Sequence, residues 1–120
     1  MTRRNPTACL EDILKYSTDV LMVSRNVSKQ EFESNIEKQY ALCRCIEIIG
    51  EATKRLLSAD PSFQEKFPEI PWKLMARMRD ILIHHYEESD LDKIWNTIQS
   101  DIPELHRKIK KIIDQLNIAR

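Results

Sequence analysis

An all-α fold, an up-down bundle of four to five helices, is what this sequence predicts, and three observations predict it. The 120 residues include a single glycine, whereas sheets depend on glycine-rich turns. Apolar residues recur at helical spacing along most of the chain. Charged residues make up 32% of the chain and sum to zero formal charge, a mixture suited to solvated helix faces. The length fits one domain over residues 1–120, and a core this small often gains stability from oligomerisation.

The helices can be placed in order. The first runs from about Thr7 to Val23, with Leu10, Ile13, Leu14, Val20 and Leu21 near helical spacing. The polar stretch Ser24–Lys29 interrupts it. Ser28 then reads as an N-cap, with Glu31 completing a capping box. A second helix starts between Lys29 and Asn35 and continues to about Ser58, with apolar positions at Phe32, Ile36, Tyr40, Cys43, Ile46, Ile49, Ala52, Leu56 and Leu57. Gly50 lies inside it, where glycine costs about 1 kcal/mol relative to alanine. Either another helix approaches closely there, from this chain or a second subunit, or the position is on the surface. Asp60-Pro61 ends the helix, and Phe63, Phe67 and Ile70 pin the following loop to the core. Pro71 opens a third helix that carries Trp72, Leu74, Met75, Met78, Ile81, Leu82 and Tyr86. Ser89 or Asp90 caps a fourth, with Leu91, Ile94, Trp95 and Ile98. At Pro103 the chain either kinks or starts a fifth helix from Asp101. Leu105, Ile109, Ile112, Ile113 and Leu116 continue the apolar face.

Composition also narrows the function. Zero net charge supplies no global field for nucleic acid, so RNA binding requires a local patch. Arg3-Arg4 and Arg107-Lys108 with Lys110-Lys111 are basic clusters that read first as solvated surface, as does His106. No apolar run is long enough to span a membrane. Asn5-Pro6 follows Met1-Thr2-Arg3-Arg4 where a signal peptide would turn apolar. Three cysteines without framework spacing suit a reducing cytoplasm. Cys43 and Cys45 point to different helix faces and read as core or surface thiols, not metal ligands. A metal-binding bundle would use Glu-x-x-His pairs, and no glutamate stands three residues before His84, His85 or His106.

The segment richest in chemistry is Arg79-Asp80-Ile81-Leu82-Ile83-His84-His85-Tyr86. Arginine grips phosphate with a planar fork of donors, and histidine titrates near neutral pH. In an internal transesterification, His84 would take the proton of a ribose 2′-OH or give one to the leaving 5′-oxygen. Arg79 would stabilise charge on the transition state. The 2′-OH is the nucleophile, so RNA rather than DNA is the expected substrate, with neither cofactor nor metal. Asp80 would orient Arg79 or His84, or is an ordinary surface acid. Spacing alone does not choose between His84 and His85. On an ideal helix Arg79 and Tyr86 lie within about 20° of each other, while His84 is rotated from Arg79 by roughly 140°. One chain therefore joins them only through a bent side chain or a distorted helix end; alternatively, a facing second copy completes the site.

These residues resemble the HepT-like ribonuclease toxins of the HEPN superfamily. The stretch fits R-x4–6-H with a polar residue after the arginine and the H-x-Y extension. Ile48-Ile49-Gly50-Glu51-Ala52 is similar to the family's I-G-E-A helix. Ile70-Pro71-Trp72, Ile94-Trp95 and Asp101-Ile102-Pro103-Glu104-Leu105 match in order, so the resemblance spans about Leu10 to Leu116. It implies a dimer or higher oligomer in which motif helices face one another and two Arg–His sets line one cleft. It implies catalytic roles for Arg79 and His84 and the polar position for Asp80. It also implies that a partner antitoxin, the minimal nucleotidyltransferase MntA, adenylylates Tyr86, adding charge and bulk beside the cleft. Glu87-Glu88 departs from the commonest form and adds negative charge where RNA would bind. The competing expectation is a non-catalytic HEPN module that binds a nucleotidyltransferase or another protein.

Overall fold

The computed structural model describes residues 5–85 and 91–116, with the backbone alone at positions 80, 81 and 83–85. Seven α-helical segments occur among them: α1 Pro6–Ser24, α2 Lys29–Ser34, α3 Ile36–Ala59, α4 Phe63–Lys66, α5 Trp72–His85, α6 Leu91–Asn96 and α7 Ile102–Gln115. A π-helical turn, Thr97–Asp101, joins α6 to α7. The described residues contain no strand. The all-α bundle is thus four long rods, α1, α3, α5 and the α6–α7 run, with α2 and α4 as short additions.

Local chemistry explains the boundaries. Asn5 caps α1 by accepting from Ala8 N–H at 2.7 Å, ahead of Pro6 in the first turn. After α1 the chain turns through Asn26 at φ 62°, a left-handed conformation that asparagine tolerates better than most residues. The Ser28–Glu31 capping box forms as expected.

The expected second helix is two helices. Asn35 is extended at φ −118°, ψ 101°, and its side chain accepts from Lys38 N–H. Gln39 Nε2 reaches back to donate to the carbonyls of Phe32 and Glu33 at 2.9 and 3.1 Å. The end of α2 is thereby satisfied by the start of α3.

At Pro103 the chain stays helical, with Asp101 and Ile102 both in the right-handed region. Proline has no N–H, and its ring crowds the carbonyl four residues back. The π turn widens the path just before it: Ile102 N–H donates to Thr97 O, one residue further than in an α-helix. The helical path thus continues through the π turn, and α7 starts at Ile102 with Pro103 in its first turn, close to the expected fifth helix from Asp101. The Ser89 and Asp90 caps lie outside the described residues.

The core lies between α1, α3 and α7. Leu10, Ile13 and Val20 meet Leu42, Ile46, Ile49 and Leu56, and Leu105, Ile109, Ile112 and Ile113 close the third side; all are buried. Buried Ser17 and Thr53 donate to the carbonyls of Leu14 and Ile49 within their own helices. Two positions assigned to the apolar stripe face out instead: Ile36 and Tyr40 are each 57% exposed. They lie one turn apart, and by helical register Tyr40 is roughly 160° and Ile36 roughly 120° around α3 from buried Leu42.

The loop before α5 is pinned as expected, with Phe63, Phe67 and Ile70 buried. Trp72 stands edge-on to Phe63 at 6.3 Å and donates its indole N–H to Phe67 O. Lys108 Nζ donates to Glu69 O across from α7, which secures the entry to α5. Arg107 pairs with Glu104 one turn earlier. The basic cluster of α7 is thus partly engaged in internal contacts, whereas Arg3-Arg4 lies outside the described residues.

Candidate functional site

The candidate site is built on the seam between α3 and α5. Trp72, Met75, Met78 and Leu82 are buried and recur every three or four residues, so they form one face of α5. Arg79 follows Met75 by one turn and sits at the edge of that face, half-buried.

Gly50 makes this seat possible. A Cβ at position 50 would stand 2.5 Å from Arg79 Cβ and 2.9 Å from Met75 O, closer than atoms in contact can come. The helix that approaches Gly50 is therefore α5 of the same chain. Two backbones meet where any side chain would hold them apart.

The next residue on α3 meets the charged end of Arg79. Glu51 Oε2 lies 3.6 Å from Arg79 Nε, with the two side chains 29% and 28% exposed. Arg79 Nε itself is shut off from solvent. At this distance the contact is an ion pair rather than a hydrogen bond, and partial burial shields it from the screening that weakens surface pairs. Glu51 was legible in the sequence only as a letter of I-G-E-A. The signal that could have singled it out is its position beside a mid-helix glycine, since a residue flanking a close approach is delivered to the neighbouring helix.

The other motif residues are placed by backbone or not at all. Asp80 and His84 lie on α5, His84 in its last turn, and their side chains are outside the description. By helical register position 84 falls within about 20° of position 77, whose arginine is exposed. Position 79 borders the α3 contact. The backbone thus keeps the roughly 140° separation between positions 79 and 84. Tyr86 lies outside the described residues.

Elsewhere, His106 and two cysteines are packed into the fold. His106, expected as a surface residue, is half-buried between α7 and α1. Thr18 donates to Leu14 O at 2.7 Å, leaving its oxygen to accept from His106 Nε2–H at 3.0 Å. Burial first, and then the Lys110 charge, hold its pKa below the usual 6.5. Cys43 is buried and its thiol is pushed up to about 12, by burial first and then Glu47. Cys9 is also buried, and Cys45 is partly exposed. No group of three or more His, Cys, Asp or Glu among the described residues is placed to hold a metal ion. No described helix is long and apolar enough to cross a membrane. A depression of about 290 Å³ opens at the start of α5, lined by Gln64, Pro68 and Ile70–Leu74. Of the motif residues with described side chains, Arg79 and Leu82, neither contributes to it.

Comparison with known proteins agrees with this architecture. The family model described as "Ribonuclease HepT-like" matches residues 8–112, a span that includes Gly50, Glu51 and the whole Arg79–Tyr86 segment. A candidate RNase of Methanocaldococcus jannaschii is 40% identical over 116 residues, covering 97% of this chain and 93% of the relative. A Thermococcus cleftensis protein named as a candidate ribonuclease HepT is 38% identical over 110 residues, 92% of this chain and 97% of its own. A candidate RNase of Caldanaerobacter subterraneus is 37% identical over 112 residues, 93% and 97% of the two chains. No solved structure matches the chain. With its model matched across nearly the full length and relatives that align end to end, the chain belongs to the HepT-like ribonuclease family.

Proposed function

We propose that this chain is a metal-independent endoribonuclease, the toxin of a HEPN/MNT-type toxin–antitoxin pair. Support comes above all from one observation. The family match runs through the R-x4-H-x-Y segment, and the arginine of that segment is seated against α3 by a glycine that leaves no room for any other residue.

Arg79 contacts the scissile phosphate and stabilises the charge that builds on its oxygens. His84 transfers protons at the 2′-OH or the 5′-oxygen. The 2′-oxygen bonds to phosphorus, the bond to the 5′-oxygen breaks, and the products end in a 2′,3′-cyclic phosphate and a 5′-OH. Asp80 orients one of the two catalytic side chains. The angular separation of positions 79 and 84 favours a site completed by a second copy across a dimer-interface cleft, where Arg79 of one chain and His84 of the other converge. Adenylylation of Tyr86 by an MntA-like nucleotidyltransferase neutralises the toxin through added charge and bulk.

Purified protein, shown by mass to be unmodified, is incubated with a defined RNA in excess chelator beside His84→Ala and Arg79→Ala. Cleavage by wild type alone, leaving cyclic phosphate ends, is the expected result. Equal cleavage by all three assigns the activity elsewhere. No cleavage by folded, unmodified wild type transfers the assignment to a partner-binding module. Coexpression with a cognate nucleotidyltransferase should add adenylyl mass to wild type and none to Tyr86→Phe.

A further inference from the structure

We infer that Glu51 is a positioning residue that aims the Arg79 guanidinium at the scissile phosphate, an inference that rests on the catalytic reading of Arg79 above. A long arginine side chain has several rotatable bonds, and a mobile cation stabilises a transition state poorly because it must be ordered during the reaction. Two successive residues of α3 remove that freedom. Gly50 fixes where the base of the side chain stands, since Arg79 Cβ occupies the space a Cβ at 50 would need. Glu51 fixes the direction of the head, facing the solvent-excluded Nε at 3.6 Å. The guanidinium is planar, so holding its Nε edge also sets the plane of the four N–H bonds on its terminal nitrogens.

Charge gives the inference a distinctive sign. An acid beside a phosphate-binding cation opposes RNA binding by simple Coulomb repulsion. A bystander glutamate, once neutralised, would therefore leave kcat unchanged and tighten RNA. A positioning glutamate, once neutralised, lowers kcat while KM stays level or falls.

The test compares Glu51→Gln, Glu51→Asp, Arg79→Ala and the Glu51→Gln/Arg79→Ala pair with wild type, using full-length protein and a defined RNA. Glu51→Gln should lower kcat on the order of 10- to 100-fold, leave KM level or lower, and have no further effect once Arg79 is alanine. Glu51→Asp, which keeps the charge, should recover part of the loss. NMR of the Arg79 side chain supplies a readout independent of turnover: its Nε–H should be ordered and slow to exchange in wild type and averaged in Glu51→Gln. If the Nε–H signal is the same in both proteins, or kcat does not fall, the positioning role is wrong. If Arg79→Ala cleaves as well as wild type, the catalytic reading fails and the positioning role fails with it. If Arg79→Ala is inactive while Glu51→Gln matches wild type, only the positioning role fails.

Discussion

Two helix seams in this molecule are built on opposite terms. Between α1 and α7 the contact is branched aliphatic, with Ile13 and Val20 on one helix and Ile109 and Ile113 on the other, all buried. A neutral polar tie, His106 to Thr18, also crosses it. Between α3 and α5 the backbones meet at a glycine, and a glutamate and an arginine are carried half-buried into the contact. Well-packed hydrocarbon is the more economical way to hold two helices together, and half-buried charge is an inefficient one. The difference teaches that the α1–α7 seam serves stability, while the α3–α5 seam gives up some stability to hold a cation in a defined place.

That contrast can be broken by substitution. The largest effect on stability is expected at the hydrocarbon seam. Ile109→Ala should lower unfolding free energy by about 2–5 kcal/mol, read by denaturant titration, with RNA cleavage per folded molecule retained. Gly50→Ala should be milder in stability and harsher in function. Its Cβ overlaps Arg79 Cβ and a backbone oxygen that cannot rotate away. Overpacking of this kind costs about 1–3 kcal/mol, against a gain in helix propensity of about 1 kcal/mol. The expected outcome is a modest loss of stability with a large loss of cleavage and of RNA-dependent signals at Arg79. Should Ile109→Ala abolish cleavage in folded protein while Gly50→Ala leaves it intact, the division between the two seams is wrong.

The smallest effect concerns pH. His106 has a lowered pKa in the folded chain, so folding favours the neutral ring. Below the usual 6.5 the unfolded state binds more protons than the folded state, so stability falls as the pH is lowered. The contribution is complete above 6.5 and is lost as pH drops towards the lowered folded value. His106→Gln should flatten this part of the stability profile relative to wild type, measured as the denaturant midpoint at several pH values. An unchanged slope would mean that the ring is free to protonate in the fold.

Much of this architecture was legible because its causes are local. The Ser28–Glu31 box, the Asp60-Pro61 stop and the apolar faces of α1, α5 and α7 each depend on residues a few positions apart. The break at Asn35 went unread because asparagine's capping competes with a continuous apolar pattern, and the deciding bonds come from Gln39 in the next helix. Pro103 announced a disturbance, but the π turn is one of several ways to absorb a missing N–H. His106 read as surface because nothing nearby in sequence reveals Thr18. For the candidate site, the motif residues stood out by type and spacing, and Gly50 stood out as the chain's single glycine. Glu51 was marked only by its place beside that glycine.

The sequence by itself determined that the chain is helical, where most helices begin and end, and which segment holds the residue types suited to phosphate binding and proton transfer. Capping, glycine scarcity and 3.6-residue periodicity act within a turn or two of the chain, so they need no knowledge of the fold. Only the tertiary structure decided that Gly50 receives α5 of its own chain, that Glu51 meets Arg79, and that His106 is a tie between α7 and α1. Each of those facts depends on which faces meet when separate helices bury their apolar surface together, and that choice is made by the whole core.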